Sequence, residues 1–259
     1  MRRHIVISPH LDDAVLSLGG TIFQLAASGD EILVVTAFAG AAGPPYSELA
    51  RELHVRWGSP FDVNRLRRAE DVAALTRLGA EARHLDIRDA IYRRAASGTW
   101  MYDAGHVGER GEGTLSGPIH PEDGWIPERL VQSVAALASG PTRIYAPLGI
   151  GRHVDHVLAF AAGRLLSREH DVTYYEDYPY VEVADDFGGR PAELPGWRDV
   201  LSGLSLEAFR AKVDAFGYYR SQVESVFGGD GYDARMEAWA RQLGGRDREF
   251  AERLWIPPA

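Results

Sequence analysis

Between residues 4 and 87 the chain alternates short apolar, β-branched runs with longer helix-compatible stretches, and this narrows the available folds more than any other feature. His4 to Ile7, ending at Ser8, reads as a buried strand, and Asp13 to about Ser28 reads as a helix. "EILVVTAFAG" gives a second strand, Glu31 to Ala39. "RLRRAEDVAALTRLGA" carries apolar residues at helical spacing and stops at Gly79, a natural C-terminal glycine, before a third short strand in "ARHLDI". Strand, helix, strand, helix, strand predicts right-handed crossovers, hence an α/β fold with a mostly parallel sheet and helices on both faces.

The pattern resumes later in the chain. "PERLVQSVAALAS" predicts a helix, "RIYAPLG" a strand, "VDHVLAFAAGRLLSRE" a helix, and "VTYYEDYPYV" a late strand running into a loop. From Ser205 the chain reads as mainly helical, with a glycine-rich break at 228–231. Two stretches lack the rhythm. One begins at "GAAGPPYSE" and is expected to be loop over 40–60; the other, 90–124, holds seven glycines, two prolines and two histidines. Irregular segments of that length are more often functional than idle, so both are expected to wall a substrate pocket. Trp100, Tyr102, His106 and Trp125 are its candidate stacking or polar contacts. No internal repeat or interdomain linker is evident, so residues 1–259 are expected to form a single domain.

Composition removes several functions. Twenty-eight basic against 37 acidic residues give a formal charge of −9, which argues against nucleic acid or an anionic membrane as the main partner. The absence of cysteine excludes disulfides, thiolate metal sites and cysteine nucleophiles. No segment approaches a membrane span, and Pro9, His10, Asp12 and Asp13 interrupt any secretory apolar stretch near the start. A cytoplasmic enzyme or binding protein is the expectation.

Ionisable residues concentrate after two predicted strands: "SPHLDDAVLSLGG" after the first and "GIGRHVDHVLAF" after "RIYAP". In an open parallel sheet, ligands bind beyond the carboxyl ends of strands, so the two clusters fall on one edge. His10 and Asp13 are three apart, as are His153 and His156, a spacing that points side chains the same way at a helix entrance. Such groups are costly to desolvate without a shared partner, and a cation is one. A catalytic zinc takes three protein ligands and leaves a position open, so acid and imidazole groups would remain to act as base and oxyanion partner. Either cluster alone is also explained by an N-capping aspartate and surface histidines; the pair together favours a metal.

These motifs resemble the PIG-L/LmbE-like family of zinc-dependent N-deacetylases, whose signature is a His-Pro-Asp-Asp-Glu run, a glycine pair and a later His-x-Asp-His. The resemblance implies a Rossmann-like sheet with long loops at the strand C-terminal edge, and hydrolysis of an acetamido group, typically on an amino sugar. Carried over by position, it makes His10, Asp13 and His156 the ligands of one Zn2+, a site that Fe2+ also suits. Asp12 becomes the general base and His153 a charged oxyanion partner, with Asp155 orienting it. "RRAEDVAALTRLG" resembles the family's Arg-x-x-Glu helix and places Arg67 and Glu70 near the substrate, while "LDIRDA" places Asp89 facing it. Leu11 and Ala14 depart from the usual proline and glutamate without removing a proposed ligand. The implied partner is a small N-acylated sugar-like molecule; oligomer formation stays open.

Weaker readings complete the set. Gly19 and Gly20 fall within a predicted helix, where close packing is favoured over a phosphate loop because no G-x-G-x-x-G follows the first strand. Asp177 and Tyr180 are candidates for the pocket wall, and Lys212 and Gln222, in "KVDAFGYYRSQ", are as readily structural as functional. Two other functions remain open at this point: a metal-dependent phosphoesterase, and a non-catalytic sugar- or nucleotide-binding α/β domain.

Overall fold

The three apolar runs near the N-terminus are strands, β1 (Arg3–Ser8), β2 (Glu31–Thr36) and β3 (Glu81–His84), separated by α1 (Asp13–Ala27), α2 (Glu48–Arg56) and α3 (Val63–Arg77). The computed structural model describes residues 1–58, 63–104, 111–183, 194–229 and 231–258. After two short 3-10 turns, Ala90–Tyr92 and Pro121–Asp123, come α4 (Ile126–Ala135), β4 (Thr142–Pro147), α5 (Val154–Leu166), β5 (Asp171–Tyr175) and the single turn α6 (Tyr180–Val183). The C-terminal part adds β6 (Arg198–Leu204), α7 (Leu206–Phe216), α8 (Arg220–Phe227), α9 (Tyr232–Gly244) and β7 (Phe250–Ile256).

One seven-stranded sheet runs β3-β2-β1-β4-β5-β7-β6. Strands β3 to β5 in that order are parallel; β7 pairs antiparallel with both β5 and β6. The chain builds outward from β1 through β2 to β3, then returns to lay β4 on the other side of β1. That reversal opens a crevice between the carboxyl ends of β1 and β4, where α/β sheets hold ligands. β1 and β2 are buried along nearly their whole length, as strands covered by helices on both faces must be.

Gly19 and Gly20 serve packing. A Cβ on Gly19 would lie 2.8 Å from Lys212 Cγ on α7, and one on Gly20 would lie 2.5 Å from a methyl of Leu204 at the end of β6, so α1 could not approach these two elements as it does. Lys212 itself is structural: its Nζ donates to Glu252 Oε1 at 2.8 Å, beneath the sheet's antiparallel end.

Two features differ from expectation. Residues 40–60 are not all loop: Ser47 Oγ accepts the Ala50 N–H at 3.0 Å and starts α2 as an N-cap. The chain after Ser205 ends in a strand, β7, and β6 precedes it. Both mix charged and apolar residues on each face, which hides a period of two. The stretches around α2 and 90–115 pack on one another, with Leu49, Trp57, Ile91, Tyr92, Met101 and Leu115 in a second apolar cluster above the crevice. Among the described residues no helix is long and apolar enough to cross a membrane.

Candidate active site

β1 ends at Ser8, whose Oγ donates to the His10 carbonyl at 2.7 Å and accepts the Ala14 N–H at 3.0 Å, pinning the turn that carries His10, Asp12 and Asp13. Asp12 occupies the N-cap position of α1 with φ 152° and makes no capping bond. A positive φ is costly for a residue with a Cβ, and here it turns the carboxylate away from the helix end it would otherwise cap. The capping explanation therefore fails for Asp12. Beyond β4, His153 is the N-cap of α5: its Nδ1 accepts the Asp155 N–H at 3.2 Å.

The clusters meet. Asp13 Oδ2 lies 3.3 Å from His10 Nδ1 and 3.2 Å from His156 Nε2, and it also accepts the His10 N–H at 2.8 Å. One ligand atom from each of His10, Asp13 and His156 falls within 4.8 Å of the others, and all three residues are buried. On the far side, His156 Nδ1 is 2.6 Å from Asp177 Oδ1, while Asp177 Oδ2 takes the Ile150 N–H at 2.9 Å. With Nδ1 donating to a carboxylate, His156 presents the lone pair of Nε2 inward, and that buried nitrogen has no hydrogen-bond partner. An imidazole aimed this way, with a carboxylate behind it, is the arrangement a metal ligand requires.

Electrostatics suit a bound cation. Asp12, Asp13, Asp89, Asp155 and Asp177 are all buried, and among the described residues the buried permanent cations beside them are Arg67 and Arg93. Burial opposes charge on His156, yet Asp13 and Asp177 raise it to about 9; burial opposes ionisation of Asp13, yet His156 and His10 hold it well below the ordinary carboxylate range. The carboxylates draw protons onto the imidazoles where a divalent ion would supply the charge. Asp12 is pushed up to about 7 by burial and by Asp13.

A second group, His10, His153 and Asp155, is also close enough for a metal, but the Asp155 carboxylate in it is already engaged by other protein groups. Asp155 Oδ2 is 3.0 Å from His10 Nε2 and accepts the Ala90 N–H at 3.0 Å, and Oδ1 is 2.6 Å from Arg93 Nη1. This corrects the expectation that Asp155 orients His153 through its carboxylate. That carboxylate serves His10, and only the main chain of Asp155 touches His153 Nδ1. The expected imidazolium is corrected too. Burial and the neighbouring His10 lower the His153 pKa well below the ordinary value, and a ring whose Nδ1 accepts a hydrogen bond at a helix N-terminus is neutral, with its proton on Nε2.

A family model described as PIG-L, GlcNAc-PI de-N-acetylase, matches residues 5–166, from β1 through α5. The chain belongs to the PIG-L family. It is similar to the 2'-N-acetylparomamine deacetylase of Niallia circulans, 30% identical over 273 residues, covering 98% of this chain and 90% of that protein. The crystal structure of the zinc inhibited form of teicoplanin deacetylase Orf2 superposes with TM-score 0.84 at 33% identity, covering 98% of this chain and 97% of that one. The A40926 pseudoaglycone deacetylase Dbv21 gives TM-score 0.77 at 35% identity, covering 99% and 98%. These homologues are deacetylases.

In this PIG-L chain the His/Asp cluster floors a cavity of about 470 Å³. His10, Asp12, Asp13, Arg67, Asp89 and His153 line it; His156 lies behind Asp13 and is sealed from solvent. Arg67 Nη2 is 3.9 Å from Asp12 Oδ1, and its guanidinium stacks 4.6 Å over Trp57. Asp89 caps the Ala90–Tyr92 turn through Oδ1 and keeps Oδ2 3.8 Å from His10. Glu70 departs from expectation: its carboxylate is bonded to Ser221 and does not line the cavity. Tyr180 does line it, whereas Asp177 lies behind His156.

The expected walls are right in segment but wrong in residue. Leu49, Leu53 and Trp57 come from the first stretch, Ile91 and Leu115 from the second. Tyr102 is buried against Asp123, Trp100 stacks under Arg94, and Trp125 is exposed on the surface, so none faces the cavity. His106 lies outside the described residues. Sequence reasoning missed Arg93 altogether. It bridges Asp155 and Asp123, 2.9 Å from the latter, between the rings of Phe38 and Tyr102. Nothing in "IYRRAASG" separates it from the surface residue Arg94.

Proposed function

We propose that this protein is a zinc-dependent N-deacetylase that removes an N-acetyl group from an amino sugar, free or carried on a natural product. The observation that carries the reading is the pairing of an inward, unbonded His156 Nε2 with an uncapped Asp12 carboxylate in the same crevice. The strands of one sheet come from both ends of the chain, which supports treating residues 1–259 as one domain.

His10, Asp13 and His156 would hold the metal, with Asp177 and Asp155 fixing the two rings from behind. When bound, zinc supplies Lewis acidity that makes water nucleophilic near neutral pH and polarises the acetamide carbonyl. Asp12 accepts the proton of the attacking water and returns it to the departing nitrogen as the C–N bond breaks, giving acetate and an amine. His153, neutral, donates from Nε2 to the carbonyl oxygen as that oxygen gains charge. Asp89 and Arg67 flank the cavity where the sugar would lie.

The two competing readings fit less well. A two-metal phosphoesterase needs a second open ligand set, and the candidate set is closed by Arg93 and the Ala90 N–H. A non-catalytic binding domain gives no role to Asp12, held uncapped at a positive φ. The test is mass spectrometry of N-acetylated amino sugars and their natural-product conjugates incubated with the metal-loaded protein; deacetylated product is expected, and none from any member of the panel would reject the reading.

His153→Ala is expected to keep its metal and lose about 10²–10³-fold in kcat, the usual cost of one oxyanion donor. Metal content by atomic emission, measured beside kcat, checks this. Loss of the metal in that variant would make His153 a ligand.

A further inference from the structure

Gln222 is buried on α8, on the side of the cavity that also exposes Ser225 and Val226, and facing the α2 wall. Its side-chain amide could in principle offer the cavity either an N–H or a carbonyl oxygen, and the two ends would select opposite chemistry in a ligand. The surrounding hydrogen bonds decide between them. Glu70, on α3, accepts the Ser221 N–H at 3.0 Å through Oε1 and the Ser221 hydroxyl through Oε2. A carboxylate can only accept, so the hydroxyl proton of Ser221 is committed to Glu70. What remains on Ser221 Oγ is a lone pair, and the Gln222 amide must meet it with Nε2, at 2.8 Å. The opposite orientation would set two oxygens against each other without a proton between them. Gln222 Oε1 is thereby turned away from Ser221; it accepts from no protein group among the described residues, and Gln222 lines the cavity.

We infer that Gln222 is a specificity-determining residue whose Oε1, aimed by the Glu70–Ser221 pair, accepts a hydrogen bond from a ring hydroxyl of the substrate. The inference rests on the amino-sugar reading above and adds the polarity of one contact: the ligand group there must be a donor. It also gives Glu70 a function from outside the cavity, as the group that sets the amide's orientation. The same clasp is extended by Asp71, which accepts the Tyr219 hydroxyl at 2.7 Å, so α3 holds the whole 219–222 segment against the site.

The experiment uses the methyl glycoside of 2-acetamido-2-deoxyglucose and analogues in which each ring hydroxyl is replaced in turn by fluorine or by hydrogen. Fluorine cannot donate, so the two replacements behave alike at a position read by an acceptor. For the metal-loaded parent, both replacements at one ring position are expected to lower kcat/KM about tenfold. The near-isosteric Gln222→Met should process the three compounds alike, with unchanged metal content and melting temperature. Ser221→Ala frees the amide to turn and should shrink the discrimination without abolishing turnover. A parent that accepts the fluoro analogue as readily as the hydroxyl, or a discrimination that survives in Gln222→Met, overturns the assignment of Gln222 alone. A parent that deacetylates and binds none of these sugars overturns the amino-sugar reading, and this inference with it.

Discussion

Asp12→Asn is expected to retain its metal and its fold while turnover falls by about 10²–10⁴-fold, the range associated with loss of a positioned general base. Asparagine matches the aspartate in shape but cannot take a proton. Because Asp12 makes no capping bond, the substitution leaves α1 undisturbed. Among the described residues the Asp12 carboxylate makes no hydrogen bond to a candidate ligand, the main-chain N–H alone meeting the His10 carbonyl, at 3.1 Å; the nearest opposite charge to that carboxylate is Arg67, at 3.9 Å. The active form is the carboxylate, so kcat of the parent should fall on acidification as Asp12 takes up a proton, and the variant should lack that acid limb. Metal content, circular dichroism and kcat against pH measure the three parts separately. Near-normal turnover in Asp12→Asn would mean that another group receives the proton.

Arg93→Met should have the largest effect on stability. Arg93 is buried between Asp155 and Asp123, which are themselves almost wholly inaccessible at 0% and 1% exposure. Burial opposes the charge on Asp155, and Arg93 overcomes it, holding that carboxyl below its ordinary range. Removing one partner of a buried ion pair leaves uncompensated charge and costs about 3–5 kcal/mol. For a chain of this size that is a fall in Tm of roughly 10 °C. The effect should also reach the metal. Asp155 holds His10 Nε2 at 3.0 Å, and loosening a group that orients a ligand typically costs about 10–100-fold in metal affinity. Calorimetric unfolding and zinc titration check both, and Arg93→Lys should recover part of each by meeting one carboxylate. A Tm within 2 °C of the parent, given as about 1 kcal/mol or less, would show that the network is not held by Arg93.

How far the sequence could be read follows from which interactions are local. Strands β1, β2 and β4 announce themselves through continuous β-branched runs, and the ionisable residues after β1 and β4 stand out because chains rarely put them at buried junctions. Their meeting at the switch point follows from the strand order, so the His10, Asp13 and His156 grouping was within reach. What escaped depends on distant partners. The roles of Asp155 and His153 turn on which atoms of Asp155 meet His10, Arg93 and His153, and sequence spacing says nothing of that. β6 and β7 derive their pairing from each other across three helices, with no alternation in either to signal it. α2 could have been found: Ser47 followed by Glu48 is an N-cap signal, masked by the preceding "GAAGPP". The aromatic residues of 90–124 were legible as a cluster but not as to which side they face.

The most direct test of the account is acetate release from an N-acetylated amino sugar, followed by proton NMR, for the parent and His156→Ala, each before and after metal removal by a chelator. The parent is expected to bind one zinc per chain, to release acetate, to stop on chelation and to recover when zinc is restored to equimolar level. His156→Ala should keep its fold, bind no zinc and release no acetate in any condition. Acetate release that persists in the chelated parent, or full zinc occupancy in His156→Ala, would contradict the account.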